Sequence, residues 1–559
     1  MRIATAMRRC VRPCAALVAT VWVVLPAAAA ELRPSTEKPA APALTLLPAD
    51  RGIDSVVDHY VDARLATAKV KPAEQITDAN LVRRLTLDLV GRVPTPREIA
   101  AYSASKSPKK REELVDRLLA SPEFVDHQVN EFNWLLMQGQ GALAEYLQTA
   151  FREKRSWDRV FRDVMLGETD GEPTKGATEF LKGRVKDQDR MTNDVSSLFF
   201  GVNISCAQCH DHPLAKDWKQ DHFYGLKSFL ARTYENGGFL GERDYGLVTY
   251  QTPKGEQKQA KLMFLSGKLV DEPKSAEPDG KAKKAEQEML KKLADKKQPP
   301  PKPKFSRRSA LIQTALGAQE RSFFARSIVN RLWLRLYGHG LVMPVDQMHS
   351  ANPASHPELL DWLARDTAEH GFELPRLVRG LVLSKAYSRS SRWTAAERPD
   401  PSLFAAAQVR PLGPYQYAAS LRVATTDPEV WTQLKTSDES QKRAASIAGS
   451  GSSWAGSFAP LSDDFQVGVN ESLQLANDPR VLSDFLSDAG DRIVGRLKQL
   501  GDPAKQADCA ISTVLGRPAE AEERKVIVEY LTERKDRSVE AARQVVWSLL
   551  TGSEFRFNY

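Results

Sequence analysis

The stretch SCAQCHDHP, residues 205–213, contains two of the five cysteines and two of the nine histidines of this 559-residue chain. Its Cys-x-x-Cys-His spacing is typical of c-type haem attachment, in which two thiols bind the porphyrin edge and the next histidine binds the iron. The residues at these positions are Cys206, Cys209 and His210. The sequence therefore predicts a covalently bound haem c with His210 as the ligand of the haem iron.

Two other interpretations of the motif remain open. In an oxidising compartment Cys206 and Cys209 can form a disulfide, which leaves His210 without a role. Alternatively, a zinc ion can be bound by both cysteines and by two of His210, His212 and His222. Either alternative describes a non-catalytic secreted binding or scaffold protein whose Cys/His motif holds a structural metal or a disulfide.

A haem iron has a second axial position, and several side chains are candidates for it. His212 is a poor one, since two positions along a helix turn it ~200° away from His210; we expect it to support the motif or to bind something else. Better candidates come from other elements: His222, Met348, His349 and His356. His356 is predicted at a helix N-terminus, where the protonated imidazole is disfavoured and a nitrogen lone pair stays available.

Two arginines are candidate partners for haem propionates or for another anion. Arg331 and Arg335 lie four apart on one face of a predicted helix. The planar guanidinium group matches the geometry of a carboxylate.

Residues 1–30 have the pattern of a secretory signal peptide: several arginines, an apolar run from Ala15 to Leu25, and small residues up to Ala30. The apolar run is shorter than the ~20 residues that a membrane-spanning helix needs. We therefore expect a periplasmic or extracellular protein with no transmembrane anchor. Its three remaining cysteines are too few for a disulfide framework, so the fold must depend on hydrophobic burial.

The net charge of +8 is concentrated in two segments. The signal peptide carries four arginines and no acids, and residues 281–304 carry nine lysines against three acids. The rest of the chain is close to neutral. A run of this kind is usually a solvated linker, so the sequence gives no indication of nucleic-acid binding.

Helical signals dominate, and the sequence predicts a mainly α protein built from multi-helix bundles. Thr95-Pro96-Arg97-Glu98 is a typical helix start, with a capping box and proline at the first position. Short alternating runs predict a small β insertion around residues 240–272. The predicted organisation begins with a disordered segment at 31–50 and a helical domain with the motif at 51–272. A Lys/Pro-rich linker follows at 273–305, with a transient helix near 287–294. The C-terminal helical domain spans 306–559 and contains a Gly/Ser loop near 446–458.

The chain also repeats a pattern near its two ends. LDLVGRVPTPRE leads to VDRLLASPEF in the first half, and STVLGRPAEAEE leads to VWSLLTGSEF in the second. We interpret this as a three-helix unit used twice, at residues 78–124 and 508–555.

Two longer stretches resemble known families. The run RRLTLDLVGRVPTPREIAAY, followed by GVNISCAQCHDHPLAKDW, resembles the cytochrome-associated domain of unknown function that is abundant in secreted proteins of planctomycetes. The later run FFARSIVNRLWLRLYGHGLVMPVDQM resembles the second uncharacterised domain that habitually follows it. Together the two resemblances cover nearly all of the chain after residue 30.

The resemblance implies haem ligation by Cys206, Cys209 and His210, and with it an electron-transfer or redox role. Many relatives carry a separate N-terminal cytochrome c domain that we expect this chain to lack, so the resemblance implies a separate cytochrome as partner. Relatives are often encoded beside a secreted sulfatase-like protein. That association implies a link to polysaccharide or sulfated-sugar metabolism, without identifying a reaction.

Overall fold

The structure is a computed structural model that describes residues 46–139, 141–169, 172–213, 215–274, 276–434, 436–458 and 469–559. The predicted signal peptide and most of the N-terminal segment 31–50 lie outside these residues. None of the helices within these ranges is both long and apolar enough to cross a bilayer.

Helices form most of the described chain, which confirms the predicted mainly α fold. The predicted capping box is present: the Thr95 hydroxyl accepts the Glu98 N–H, and the Glu98 carboxylate accepts the Thr95 N–H. The helices that precede residue 272 are, in chain order, α1 (Ile53–Ala68), α2 (Asp78–Val90), α3 (Pro96–Ala104), α4 (Lys110–Leu119), α5 (Pro122–Met137), α6 (Leu143–Arg152), α7 (Trp157–Leu166), α8 (Glu179–Lys182), α9 (Gln188–Phe200) and α10 (Gln220–Leu230).

The predicted β insertion consists of two short antiparallel hairpins. The first hairpin begins at Thr233, before the predicted range of 240–272. Its two strands are joined by Gly237 and Gly238, which both adopt positive φ and form a tight turn. The strands are β3 (Thr233–Asn236) with β4 (Phe239–Glu242), and β5 (Thr249–Gln251) with β6 (Gln257–Gln259). Two further pairs join β1 (Glu168–Thr169) to β2 (Glu172–Pro173), and β7 (Arg410–Pro411) to β8 (Phe557–Asn558).

The predicted Lys/Pro-rich linker contains a helix, α11 (Gly280–Asp295), which is longer than the predicted transient one. Its first turn is capped by the Asp279 carboxylate. Leu290 is buried, and its carbonyl accepts a hydrogen bond of 2.9 Å from the Asn236 amide of the first hairpin. One buried leucine and a few polar contacts thus hold a helix whose lysines remain in solvent.

The remaining helices follow residue 306. They are α12 (Arg307–Ala315), α13 (Arg321–Tyr337), α14 (Pro357–Glu369), α15 (Leu374–Leu383), α16 (Pro414–Ala424), α17 (Pro428–Gln433), α18 (Ser437–Ala455), α19 (Val469–Asn477), α20 (Pro479–Asp484), α21 (Ile493–Leu500), α22 (Pro503–Leu515), α23 (Ala521–Glu533), α24 (Ser538–Leu550) and α25 (Ser553–Arg556).

The prediction of a Gly/Ser loop near 446–458 is wrong, because α18 runs through most of it. Ile447 and Trp454 bury their side chains on one face of this helix. A Cβ at Gly451 would lie 2.6 Å from the ring of Tyr415, so this glycine permits the close approach of α16 and α18. The small residues serve packing here, not flexibility.

The main hydrophobic core crosses the predicted linker. The rings of Trp157 in α7 and Phe199 in α9 have centroids 5.8 Å apart, and Phe324 in α13 stacks on the same tryptophan at 6.3 Å. A second core lies almost entirely after residue 410 and takes in Leu87 and Val93 from the N-terminal repeat. Residues before and after the linker therefore fold around a common interior.

Each of the two predicted repeat units contains an equivalent, largely buried ion cluster. In the first unit Arg92 donates to Glu98 at 2.9 Å and to Glu123 at 2.7 Å. In the second unit Arg517 makes the same two kinds of contact with Glu523 and Glu554. Each arginine follows a helix-ending glycine with φ of 72°. The equivalent clusters support the interpretation of a repeated three-helix unit.

Candidate functional site

The Cys-x-x-Cys-His motif begins on a 3-10 turn, Ser205–Gln208, which follows α9; Cys209 is the C-cap residue of this turn and His210 comes directly after it. Ile204 and Ala207 are fully buried and fix this turn to the core. Cys206 and Cys209 are exposed, and both thiols are free. The turn therefore presents two sulfurs to solvent from a backbone that is anchored on its inner side.

Side chains from α10 hold the carbonyl groups of the motif. The Gln220 amide donates to the carbonyls of Gln208 at 3.2 Å and Cys209 at 3.1 Å. The Tyr224 hydroxyl also donates to the Gln208 carbonyl, and its ring stacks on Tyr250 of β5 at 4.1 Å. Neither residue is evident from the sequence, since a side chain that binds only backbone carbonyls leaves no recognisable spacing.

The hydrogen bond of His210 determines which of its ring nitrogens carries the proton. Its Nδ1 lies 2.7 Å from the carbonyl oxygen of Asp211. A carbonyl oxygen only accepts, so in the neutral ring Nδ1 carries the hydrogen and Nε2 has a free lone pair. Metal-binding histidines usually donate their other ring N–H in this way, which fixes the tautomer and orients the ring.

His212 and His222 have the opposite arrangement. The Nδ1 of His212 accepts the backbone N–H of Ala215 at 3.0 Å, and the Nδ1 of His222 accepts that of Lys219 at 3.2 Å. In the neutral rings the hydrogen is therefore on Nε2, which makes this atom a donor and not a metal ligand. Burial is the largest cause that lowers the pKa of both histidines, so the neutral form is favoured.

A loop from beyond the linker, residues 341–354, docks beside the motif, on residues 201–203 and on His212; we call it the docking loop. The backbone N–H of Asn203 donates to the carbonyl of Asp346 at 2.6 Å, and that of Met348 donates to the carbonyl of Gly201 at 3.1 Å. The ring of His349 lies 5.7 Å from that of His212. A Cβ at Gly201 would lie 2.8 Å from the Met348 sulfur, so only glycine permits this approach.

A cavity of about 460 Å³ lies between the docking loop, the start of α10 and helices α13 and α14. Its volume is within the range of small-molecule sites. Three of the predicted distal candidates line it, namely His222, Met348 and His349.

Family models match both parts of this arrangement. The model described as PSCyt2, Protein of unknown function (DUF1549), matches residues 56–235, and the model described as PSD1, Protein of unknown function (DUF1553), matches residues 307–446. The chain carries the planctomycete-type pair of these domains. The resemblance inferred from the sequence is thereby confirmed. No curated protein and no solved structure matches the chain.

The two domains meet at the motif. The PSCyt2 domain supplies the 3-10 turn and α10, and the PSD1 domain supplies the docking loop. The Ser350 N–H donates to the Asp217 carboxylate at 2.9 Å, and its hydroxyl donates to the same oxygen at 2.5 Å. These hydrogen bonds join the domains beside the motif and lower the pKa of Asp217, which keeps it ionised.

Other predicted site residues lie elsewhere. Arg331 and Arg335 are half-buried in α13 and donate to the Ser197 carbonyl at 2.6 Å and to the Gln128 side chain at 2.9 Å. Their contacts join α13 to α9 and α5, not to the motif. His356 is the N-cap residue of α14, as predicted, but it packs on the ring of Phe404 and does not line the cavity.

The environment of His356 predicts an acid-sensitive contribution to stability. Burial, with a smaller effect of Arg64, lowers the pKa of His356 to about 3. The unfolded chain binds a proton near pH 6.5, so the stability that this residue contributes is present above that pH and is lost as pH falls toward 3. We expect a loss of about 2 kcal/mol between pH 8 and pH 5.

Urea unfolding of the parent and of His356→Gln at both pH values measures this contribution. The variant does not titrate at this position, so its stability should change by about 2 kcal/mol less between the two pH values than that of the parent. Equal pH dependence of the two proteins would contradict the assignment.

Proposed function

We propose that this protein is an exported c-type haem protein with a redox role. In this proposal Cys206 and Cys209 form thioethers with the porphyrin, and His210 binds the haem iron through Nε2. Bound haem supplies a one-electron couple at the iron. The observation that carries the proposal is the hydrogen bond from His210 Nδ1 to the Asp211 carbonyl, which prepares the ligand tautomer.

The donor set fits haem better than it fits zinc. A structural zinc ion needs four converging donors. Among the described residues, no three His, Cys, Asp or Glu side chains are grouped so that they share one ion. Haem attachment needs two accessible thiols and one adjacent imidazole, and the exposed Cys206, Cys209 and His210 meet that requirement.

The position of the motif favours electron exchange with another protein. Both cysteines are exposed, so thioether bonds to them would hold the edge of a haem at the protein surface. A separate cytochrome is the partner that this placement suits, and export to the periplasm or beyond is the setting in which thiols meet haem. The proposed link to polysaccharide or sulfated-sugar metabolism, and to a sulfatase-like partner, is supported only by the family resemblance.

The test is to export the full chain in a host that matures c-type cytochromes and to measure the mass of the peptide that contains residues 205–213. We expect the mass of one haem on this peptide and a Soret band that survives acid–acetone extraction. Cys206→Ala/Cys209→Ala should abolish both. Cys509→Ala is the matched control, because Cys509 is a half-buried thiol in α22 and should leave haem attachment unchanged.

Two results would overturn the proposal. A bare peptide, in a host that loads its own cytochromes, would remove the redox role. A colourless protein with one zinc ion per chain would indicate a structural metal in a secreted scaffold.

A further inference from the structure

The outer side of α11 carries a concentration of positive charge. Residues 281–304 include nine lysines against three acids. Four lysines of the helix are exposed and make no ion pair with any described residue; we call them the lysine face, and they are Lys281, Lys284, Lys291 and Lys292. Lys296 and Lys297, which directly follow the helix, are exposed as well. Charge that the fold leaves unpaired in this way is available to an external partner.

The opposite side of α11 is fixed to the first hairpin and to the chain that follows it. Leu290 is buried, and the Glu286 carboxylate accepts a hydrogen bond from the Tyr245 hydroxyl. A Cβ at Gly237 would lie 2.8 Å from the Cα of Ala294, so the hairpin turn packs directly on the helix. At about 100° per residue, the lysine face occupies a band of about 100° on the side away from Leu290. It therefore points away from the body of the protein.

The charge of the lysine face is not offset within the helix. Lys281 lies in the first turn, where the helix dipole disfavours a positive charge, and that turn contains no acid. Glu288 and Asp295 lie on the same side as the lysine face, but with Lys296 and Lys297 the lysines outnumber them three to one. A nearby anion reduces this electrostatic cost, so the helix itself is stabilised by an anionic partner.

A flat anionic surface suits the shape of the lysine face. The face is convex, and its band is narrow enough for the flexible lysine side chains to reach one plane together. Lysine acts as a point charge, so it responds to the density of negative charge more than to the geometry of a single group. Clusters of lysines on one face of a surface helix are typical of binding to anionic phospholipid headgroups.

Met289 favours a bilayer over a soluble polyanion. It precedes Lys292 by three residues and therefore lies beside the lysine face. Its side chain is 40% exposed, which makes it one of the few large apolar side chains that the described fold leaves in solvent. The thioether gains free energy where headgroups meet acyl chains, whereas a hydrated polymer offers it no apolar contact.

We propose that the lysine face binds the surface of an anionic phospholipid bilayer, with Met289 at the boundary between headgroups and acyl chains. Binding is peripheral and reversible, because one basic face with little apolar surface anchors only weakly. The inference does not depend on the proposed haem. It gives a membrane-facing side to a protein in which none of the described helices could span a bilayer.

Co-sedimentation of the exported protein with lipid vesicles tests the proposal. One set of vesicles is phosphatidylcholine alone, and the other contains equal parts of phosphatidylcholine and phosphatidylglycerol. We expect binding to the second set only, and release as sodium chloride is raised, because salt screens the attraction. Cys206→Ala/Cys209→Ala should bind as the parent does, which separates this surface from the haem.

A pair of lysine variants identifies the surface responsible. Each lysine near an anionic bilayer strengthens binding about fivefold, so Lys284→Gln/Lys291→Gln should lower the partition coefficient about 25-fold. Glutamine keeps the helix propensity of lysine. Lys106→Gln/Lys109→Gln is the matched control, because it removes the same charge from exposed positions outside α11 and should change nothing.

Two further variants give results that a loss of folding cannot imitate. Glu288→Gln/Asp295→Asn removes the acids beside the lysine face and should tighten binding to the anionic vesicles. Met289→Gln should weaken vesicle binding about fivefold and leave binding to dextran sulfate, a soluble polyanion, unchanged. No binding to the anionic vesicles, equal loss in the α11 variant and its control, or a Met289→Gln variant that binds vesicles as the parent does would overturn the proposal.

Discussion

In the exported protein, His210→Ala should change the haem spectrum completely while both thioethers remain. The variant keeps Cys206 and Cys209, so the haem mass stays on the peptide, but the iron loses its imidazole ligand. We expect the Soret maximum to move and the reduction potential to change with it, because the axial ligand tunes both. Since His210 is exposed, unfolding stability in urea should change by less than about 1 kcal/mol.

His212→Ala is the matched control for this experiment. His212 is two residues away, but its Nδ1 accepts the Ala215 N–H, and its Nε2 is the protonated nitrogen. This variant should keep the parental spectrum. A parental spectrum in His210→Ala, or the loss of the imidazole signature in His212→Ala instead, would contradict the assignment of the iron ligand.

Among the substitutions proposed for this protein, Arg92→Ala should lower the free energy of unfolding most. The Arg92 side chain is 7% exposed and is bound by both Glu98 and Glu123, so its removal leaves two partly buried carboxylates without their counter-ion. Breaking a buried ion cluster in this way costs about 3–5 kcal/mol. Urea unfolding at pH 7 measures the loss, and a change below about 1 kcal/mol would contradict the role of the cluster.

Arg517→Ala is the equivalent change in the second repeat and should cost less, since the Arg517 side chain is 19% exposed. The pH dependence gives a second measurement. The Arg92 guanidinium and the Thr95 backbone N–H outweigh burial and lower the pKa of Glu98 to about 2. The stability that ionised Glu98 contributes is therefore present above pH 4.5 and is lost as pH falls toward 2. The Arg92→Ala variant should lack this part of the acid sensitivity that the parent shows.

Much of the local structure follows from the sequence. The Thr95 capping box, the helix N-terminus at His356 and the repeated Gly-Arg pattern are set by residues a few positions apart, and the structure contains all three. The Gly/Ser stretch was wrongly predicted as a loop because its composition resembles that of a linker. The buried Trp454 and the close contact of Gly451 with Tyr415 became evident only in the folded chain.

The sequence by itself determined the helical class, the family pair and the position of the Cys-x-x-Cys-His motif. Only the tertiary structure decided that the PSD1 docking loop lies against this motif, and that Trp218 and Asp217 share a cavity with residues more than a hundred positions away. The hydrogen bonds of the folded chain also decide which ring nitrogen of His210, His212 and His222 carries the hydrogen. The physical reason is that caps and helix periods depend on near neighbours, whereas cavities and donor–acceptor partners depend on which surfaces the packed core brings together.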